Sequence, residues 1–446
     1  MSANRSINFL RGWISHDLLP RQQIIKATTE LLKPELREYD DDVENHHPLV
    51  YGADSGSLWV REEICKFTND AFKLEADNLT KSKPEYINLT SGASYGMLNL
   101  LLQTTLPHTG YTRQAFVISP TYFLINDAFI DAGFRNKITA IREKDDGIDL
   151  DTLQKHLEYY EKLDKERDHS QDSQLVNSPN KRSKKLYRFV IYLIPTYSNP
   201  SGKTYSLSSR NKLIELARKH DMLIITDDVY DMLSYDQPAT ETPRPTLRFT
   251  HLDRATLSDV DKSYGNTIVN TTFSKMIAPG LRFGYQETVN SNLATQLSQG
   301  GANASGGTPS QLNSMIVGTM LRNGDCAKII RQTREALGAR CEVLYDSIKK
   351  YLPQRTEYEL QTGGYFSWCT LPEGFDSGEI CETLKRKYNV MIPDGSRFEV
   401  VDNPMQWKKR SVRLSVSYLS SEDIEKAVEL WGQVCRQYAK EHHLEF

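Results

Sequence analysis

The chain has 446 residues, of which 39% are hydrophobic and 25% charged, and its formal net charge is −3. This is the composition of a soluble globular protein of about two to three domains. The near-neutral charge offers no electrostatic basis for binding nucleic acid or a membrane surface. The cysteines form no C-x-x-C pair and no pairing with histidine, so we expect a reducing compartment and neither a metal site nor a disulfide framework. They are Cys65, Cys326, Cys341, Cys369, Cys381 and Cys435.

The N-terminal stretch MSANRSINFLRGWISHD lacks the apolar core of a signal peptide, and no apolar run approaches the length of a membrane span. We therefore expect a cytoplasmic protein. Residues 160–186 are polar and charged, which is typical of a solvated surface insertion. Its basic run KRSKK (181–185) has an alternative interpretation as a nuclear targeting patch. Of the two, the solvated insertion is the interpretation that we retain.

Short apolar strands alternate with amphipathic helices between residues 85 and 285, which predicts an α/β fold with a mostly parallel sheet covered on both faces. The predicted helices are GASYGMLNLLLQTTL and SLSSRNKLIELARKH, the second with a serine cap. The predicted strands are YINLT (86–90), AFVIS (115–119), RFVIYLI (188–194), MLIIT (222–226) and TIVNTTF (267–273).

After about residue 315 the pattern changes to a long helical stretch, a shorter set of strands and a last helix. The strand set is GGYFSWCTL, YNVMIP and SVRLSVS, and the last helix is SSEDIEKAVELWGQV. We predict a large domain over 47–315, a small α+β domain over 316–446, and an N-terminal segment, 1–46, that packs with the small domain.

Polar groups follow each strand of the large domain, where a parallel sheet binds its ligands. Small residues that open a helix suit a phosphate, an asparagine-proline turn fixes an amide, and an acid is followed by a phenol. Each group alone is as well explained by a turn, a loop or a helix cap. In chain order the groups are Ala93 and Ser94, Tyr122, Asn199, Asp227 with Tyr230, and Ser274 with Lys275 and Arg282.

Taken together, these groups call for a ligand with a phosphate, a flat ring, a protonatable ring nitrogen, a ring oxygen and a carbonyl that reacts with a lysine. Pyridoxal 5′-phosphate has all five. The motifs T-F-S-K-x-x-x-P-G-x-R-x-G, N-P-x-G and D-x-x-Y occur here in this order. Over most of its length the chain resembles the class I/II aminotransferases of the fold-type I pyridoxal-phosphate enzymes. Within them it looks most like the 2-aminoadipate/kynurenine-type transaminases and their fungal relatives.

The resemblance implies a seven-stranded, mainly parallel sheet in the large domain and a homodimer whose active sites lie at the subunit interface. Lys275 matches the Schiff-base lysine, which also moves the proton between the substrate Cα and the cofactor. Asp227, and not the adjacent Asp228, matches the acid that keeps the pyridine nitrogen protonated. Tyr230 and Asn199 match the donors to the ring oxygen.

The resemblance also assigns the remaining cofactor and substrate contacts. Arg413, in SVRLSVS, matches the arginine that pairs with the substrate α-carboxylate, and Asn199 is assigned to substrate binding with it. Tyr51 matches the tyrosine that reaches the phosphate of the neighbouring subunit. Tyr122 matches the aromatic residue stacked on the ring. The predicted phosphate ligands are Ala93, Ser94, Thr272, Ser274 and Arg282.

Two positions depart from the family pattern. Gly12-Trp13-Ile14 stands where Gly-x-Pro is frequent, next to the substrate side chain, and Ser94 stands where glutamine is frequent. The predicted activity is a ping-pong aminotransferase acting on an amino acid and a 2-oxo acid, with a large, aromatic or 2-aminoadipate-like donor. A pyridoxal-phosphate lyase is the nearer alternative. A non-enzymatic regulator is the farther alternative. Such regulators carry a helix-turn-helix domain before this fold, and because family-like sequence starts here by Ile7, we do not expect that domain in this chain.

Overall fold

The structure is a computed structural model that describes most of the chain. The described residues are 6–33, 42–76, 81–165, 175–178, 181–238, 241, 244–308 and 310–446.

Strands and helices are numbered in chain order. The strands β1 to β14 are Ile7–Asn8, Ile87–Thr90, Gln114–Ser119, Ile138–Lys144, Gly147–Ile148, Leu175–Ser178, Lys181–Lys185, Phe189–Leu193, Met222–Asp227, Thr267–Thr272, Gly284–Thr288, Phe366–Thr370, Val390–Met391 and Ser411–Ser415. The helices α1 to α13 are Arg21–Leu31, Leu58–Phe72, Ala93–Thr104, Ile125–Phe129, Leu150–Asp164, Leu207–Lys219, Phe249–Thr256, Ser291–Ser298, Gly301–Ala304, Gln311–Arg322, Asp325–Tyr351, Ser377–Tyr388 and Ser421–His442.

The described residues form one large sheet with the strand order β2-β11-β10-β9-β8-β3-β4-β5. Strand β11 runs antiparallel to both neighbours and β5 antiparallel to β4, while the other neighbouring pairs are parallel. The predicted seven-stranded, mostly parallel sheet is confirmed, and the two-residue β5 adds an eighth strand at its edge. The α/β class is confirmed with it.

The central strands are buried along their whole length because helices cover both faces of the sheet. Side chains of one strand alternate between two cores. Val117 and Tyr192 face the first core, and Phe116 and Ile191 face the second. Helix α6 starts as predicted, since the Ser206 side chain accepts a hydrogen bond from the Ser209 N–H.

A further core lies in the C-terminal part, between helices α11, α12 and α13 and the strands β12 and β14, which pair antiparallel. The N-terminal segment, which was predicted to pack with the small domain, contributes residues to two cores. Strand β1 pairs with β13, and Phe9 is buried in the C-terminal core, whereas Ile14 and Ala27 belong to the core of the large sheet. The physical reason is that α1 packs against α10. The domain boundaries themselves stay a prediction.

Both ends of the predicted surface insertion, 160–186, are packed against the rest of the protein. Helix α5 continues to Asp164, whose buried carboxylate pairs with Arg113 and Arg188. At the other end Lys185 is buried, and its ammonium lies 2.6 Å from the Asp221 carboxylate. The central residues, 166–174 and 179–180, lie outside the described part of the chain.

Among the described residues, none of the helices combines the length and the apolar character that a membrane crossing requires.

Candidate active site

A cavity of about 400 Å³ lies at the carboxyl ends of the parallel strands and is closed on one side by residues from β12, β14 and the N-terminus. It brings together every predicted site residue except Tyr51. The predicted residues that line it are Ala93, Ser94, Tyr122, Asn199, Asp227, Tyr230, Thr272, Ser274, Lys275, Arg282 and Arg413.

Lys275 lies three residues beyond β10, and its Nζ donates a hydrogen bond to the Gly12 carbonyl oxygen at 2.6 Å. The Tyr365 hydroxyl donates to the backbone carbonyl of Lys275 at 2.7 Å, which holds the turn in place. Enclosure in the cavity lowers the pKa of Lys275 to about 8, although the nearby Asp227 carboxylate acts in the opposite direction. A lysine with a lowered pKa is a good nucleophile and a good proton carrier near neutral pH.

Asp227 is the last residue of β9 and is buried. Its Oδ2 accepts a hydrogen bond from the Tyr192 hydroxyl at 2.9 Å, while its Oδ1 has no hydrogen-bond partner. Desolvation raises the pKa of Asp227 to about 7. The adjacent Asp228 does not line the cavity, because its side chain accepts a hydrogen bond from Thr226 instead. The distinction predicted between the two carboxylates therefore agrees with their placement.

Asn199 is buried in the loop after β8, and its Oδ1 accepts a hydrogen bond from Arg413 at 3.2 Å. Its amide nitrogen is left to donate to another group. Tyr230 is buried and packs edge-on against Phe366, with the ring centroids 6.0 Å apart. Tyr122, half-buried after β3, completes this wall.

An anion cradle forms where helix α3 begins. The guanidinium of Arg282 reaches Ser274 Oγ at 3.4 Å, and Ser274 Oγ lies 2.9 Å from Thr272 Oγ1. Gly92 precedes the helix with φ +87°, and a Cβ there would stand 2.9 Å from the Arg282 guanidinium. The free N–H groups of a helix start, two hydroxyls and a guanidinium are donors that suit a phosphate.

Arg413, on β14, is a buried cation whose described hydrogen-bond partners are neutral. It donates to the Leu10 carbonyl at 2.6 Å and to Asn199, and its Nε has no partner. Its guanidinium lies 4.0 Å from the ring centroid of Phe366 and 4.8 Å from that of Phe398. Burial lowers the pKa of Arg413 to about 9. A carboxylate that entered here would supply the missing counter-charge.

Residues 7–15 form an N-terminal strap over the cavity. Two serines hold it, one at the end of β14 and one just beyond it. Ser415 Oγ donates to the Arg11 carbonyl at 2.8 Å and Ser417 Oγ to the Trp13 carbonyl at 3.1 Å. Gly12 is required for this approach, since a Cβ there would meet the Phe366 ring at 2.6 Å.

Much of the cavity lining is apolar. The cations among the lining residues contact polar groups of the protein, since Lys275 donates to the Gly12 carbonyl, Arg282 reaches Ser274 and Arg413 donates to the Leu10 carbonyl. We call the apolar part of the lining the distal wall, and it includes Trp13, Met97, Phe123, Leu124, Ile125 and Ala128.

Tyr51 lies outside the cavity and is 79% exposed. Its ring packs near Gly306, and Leu49 and Val50 beside it are also exposed. Tyr51 was predicted to reach a neighbouring subunit and not its own cavity, so this placement leaves that prediction open.

Several groups of the cavity were not predicted. Tyr192, Asn270 and Phe366 line it, and the carbonyls of Leu10 and Gly12 bind Arg413 and Lys275. Tyr192 carried a signal, since its hydroxyl is the one side-chain polar group within the apolar run FVIYLI. The carbonyl contacts carried none, because any residue supplies a carbonyl.

Comparison with known proteins identifies the family. Residues 19–430 match the family described as aminotransferase class I and II. The chain belongs to this family and is a pyridoxal-phosphate-dependent aminotransferase.

The chain is also similar to the following three proteins. It is 54% identical over 437 residues, 98% of each chain, to the uncharacterized protein YER152C of Saccharomyces cerevisiae. It is 25% identical over 325 residues, 73% of this chain and 67% of the other, to aromatic-amino-acid aminotransferase 1 of Thermococcus litoralis. The fold matches the kynurenine aminotransferase of Pyrococcus horikoshii in complex with PMP and KYN, with a TM-score of 0.73, 20% identity and coverage of 98% and 92%.

The cavity fits pyridoxal 5′-phosphate on its own geometry. The unpartnered Oδ1 of Asp227 is an acceptor for a protonated ring nitrogen, and the Asn199 amide can donate to the ring oxygen. The cradle around Arg282 would hold the phosphate, and Lys275, which lines the same cavity, would supply the amine that reacts with the aldehyde. When bound, the cofactor accepts the electron pair left at the substrate Cα after proton loss.

Proposed function

We propose that this aminotransferase takes amino donors with large apolar or aromatic side chains and transfers their amino group to a 2-oxo acid. The observation that carries the proposal is the apolar distal wall, formed by residues such as Trp13, Phe123 and Leu124. The name of the similar Thermococcus litoralis enzyme, an aromatic-amino-acid aminotransferase, agrees with it. A 2-aminoadipate-like side chain would need a cation among the lining residues of that wall, and a cation next to it, Arg11 at 5.6 Å from the Trp13 ring centroid, is not one of the lining residues.

Each residue has a role that follows from its position in the cavity. Arg413 binds the α-carboxylate, which points the amino group toward Lys275 and the side chain toward the apolar wall. Lys275 Nζ takes the proton from the substrate Cα, and the lowered pKa makes its neutral form accessible near neutral pH. Asp227 keeps the ring nitrogen protonated. The strap, residues 7–15, excludes water from these groups.

We further propose that the protein acts as a homodimer in which Tyr51 completes the anion cradle of the partner. Support comes from a run of exposed side chains near Tyr51, because exposed apolar patches mark interaction sites. The exposed fractions of these side chains are 77% for Val43, 64% for Leu49, 51% for Val50 and 79% for Tyr51. The molar mass of the purified protein in solution tests the dimer, and a Tyr51→Phe variant with wild-type cofactor affinity would contradict the shared cradle.

A panel of amino donors against 2-oxoglutarate tests the substrate proposal. We expect kcat/KM for phenylalanine, tyrosine and kynurenine to exceed that for alanine and for 2-aminoadipate by about tenfold or more, since a buried aromatic side chain contributes several kcal/mol. Ammonia is measured in parallel to detect elimination. A preference for 2-aminoadipate would refute the proposal.

A further inference from the structure

Tyr192 places a hydroxyl under the cavity from the middle of the sheet. It lies on β8, is 2% exposed, and is registered with Ile225 on β9 and with Val117 on β3. Ile225 and Asp227 share one face of β9 because side chains alternate along a strand. The Tyr192 hydroxyl therefore lies beside the Asp227 carboxylate and donates a hydrogen bond to its Oδ2 at 2.9 Å.

This hydrogen bond leaves the two carboxylate oxygens of Asp227 in different environments. Oδ2 is bound to a donor of the protein, whereas Oδ1 is buried without one. Burial favours the protonated acid and raises the pKa of Asp227 to about 7, while the hydrogen bond from Tyr192 favours the carboxylate. The other groups whose charge acts on or responds to Asp227 are Asp228, Lys275, Tyr122 and Tyr230.

We propose that Tyr192 is a positioning residue that keeps the Asp227 carboxylate ionised and directs its free oxygen, Oδ1, toward the cofactor ring nitrogen. The proposal rests on the role proposed above for Asp227. A protonated Asp227 could not hold a proton on the ring nitrogen, so Asp227 must be ionised for its role. The Tyr192 hydroxyl contributes by stabilising this carboxylate and has no other part in the reaction. The alternative is that Tyr192 only fills space, since its ring packs edge-on against Phe129 at 6.5 Å.

A Tyr192→Phe variant separates these roles, because phenylalanine keeps the ring and removes only the hydroxyl. Tyr187→Phe is the matched control. Tyr187 is also fully buried, but its hydroxyl donates to the Gly265 carbonyl at 2.7 Å, away from the cavity. The measurement is the dissociation constant of pyridoxamine phosphate with the full-length, cofactor-stripped protein between pH 6.5 and 9. This probe has the ring nitrogen and the phosphate but no aldehyde, so no bond to Lys275 forms.

We expect Tyr192→Phe to weaken pyridoxamine phosphate binding about tenfold or more at pH 7, as for loss of a hydrogen bond to a charged group. The ratio of variant to wild-type dissociation constants should fall toward pH 9, because a higher pH ionises Asp227 without help from Tyr192. A ratio within about twofold at every pH, or one that is constant with pH and equal to that of Tyr187→Phe, would overturn the proposal. Melting curves of both phenylalanine variants show whether each is folded.

An Asp227→Asn background distinguishes failure of this inference from failure of the proposed role of Asp227. If Asp227→Asn binds pyridoxamine phosphate like the wild type, the role of Asp227 is wrong and the inference falls with it. If Asp227→Asn binds weakly and Tyr192→Phe binds normally, only the inference about Tyr192 is wrong. If both single variants bind pyridoxamine phosphate weakly, and the double variant binds it no more weakly than Asp227→Asn alone, Tyr192 acts through the carboxylate as proposed.

Discussion

The variant Arg413→Met tests whether the Arg413 guanidinium serves substrate binding or the stability of the fold. Arg413 is buried, and its described hydrogen-bond acceptors, the Leu10 carbonyl and Asn199 Oδ1, are neutral. Methionine has a similar length and lacks the charge. If the guanidinium serves to pair with a substrate carboxylate, its removal should damage the reaction far more than the fold.

The magnitudes follow from the surroundings of Arg413. The fall of its pKa from 12.5 to about 9 corresponds to about 5 kcal/mol against burying the charge. This figure is a net one, because the pKa already reflects the favourable contacts of the charged form together with the cost of its burial. Removal of the charge should therefore relieve an unfavourable burial. We expect Arg413→Met not to lower the free energy of unfolding of the cofactor-free protein.

The effect on the reaction should be much larger. Loss of a buried guanidinium–carboxylate pair costs about 2 to 5 kcal/mol, so kcat/KM should fall about 30-fold or more. Because every donor carries the α-carboxylate, the loss should be similar for phenylalanine and for alanine.

Arg248→Met provides the contrast in stability. Arg248 lies 2.8 Å from the Asp231 carboxylate, with both side chains 1% exposed. Breaking this buried pair should cost about 3 to 5 kcal/mol of stability. Urea unfolding of the cofactor-free proteins and steady-state kinetics measure the two effects. The reasoning would be refuted if Arg413→Met unfolded as readily as Arg248→Met while keeping its KM for amino donors.

Three further predictions concern the cofactor and the distal wall. Lys275→Met should stabilise the cofactor-free protein by about 3 kcal/mol below pH 8, since folding lowers the lysine pKa from 10.5 to about 8, and urea unfolding should show this gain shrinking as pH rises to 10.5. Gly92→Ala should weaken pyridoxamine phosphate binding about tenfold in a fluorescence titration, because φ is +87° and the Cβ crowds Arg282. Leu124→Arg should raise kcat/KM for 2-aminoadipate relative to phenylalanine, and an unchanged ratio would place Leu124 away from the donor side chain.

The chemistry-bearing residues at strand ends could be predicted because they obey local rules. In a parallel sheet the carboxyl ends of neighbouring strands meet, so Asn199, Asp227 and Lys275 were expected together from strand assignments alone. The structure places them around one cavity. Asp227 was also correctly separated from Asp228, since neighbouring side chains on a strand point to opposite faces.

Contacts that depend on register or on distant chain segments could not be predicted. The hydrogen bond from Tyr192 to Asp227 exists because β8 and β9 pair with Tyr192 opposite Ile225. Both strands are mostly apolar and buried along their whole length, so they lack the alternation of apolar and polar residues from which a register could be predicted. The contact of Arg413 with the Leu10 carbonyl joins residues 403 positions apart, and a backbone carbonyl has no sequence signature.

Two enclosed cations of the cavity have the same kind of partner on the strap. Lys275 and Arg413 each donate to one of its carbonyls, Gly12 at 2.6 Å and Leu10 at 2.6 Å. A neutral carbonyl satisfies a donor without supplying a counter-charge, so both side chains remain electrostatically unfavourable, as their lowered pKa values reflect. A carboxylate at Arg413 would form the stronger, charge-assisted pair. We therefore expect the exchange of the Leu10 carbonyl for a substrate carboxylate to be favourable.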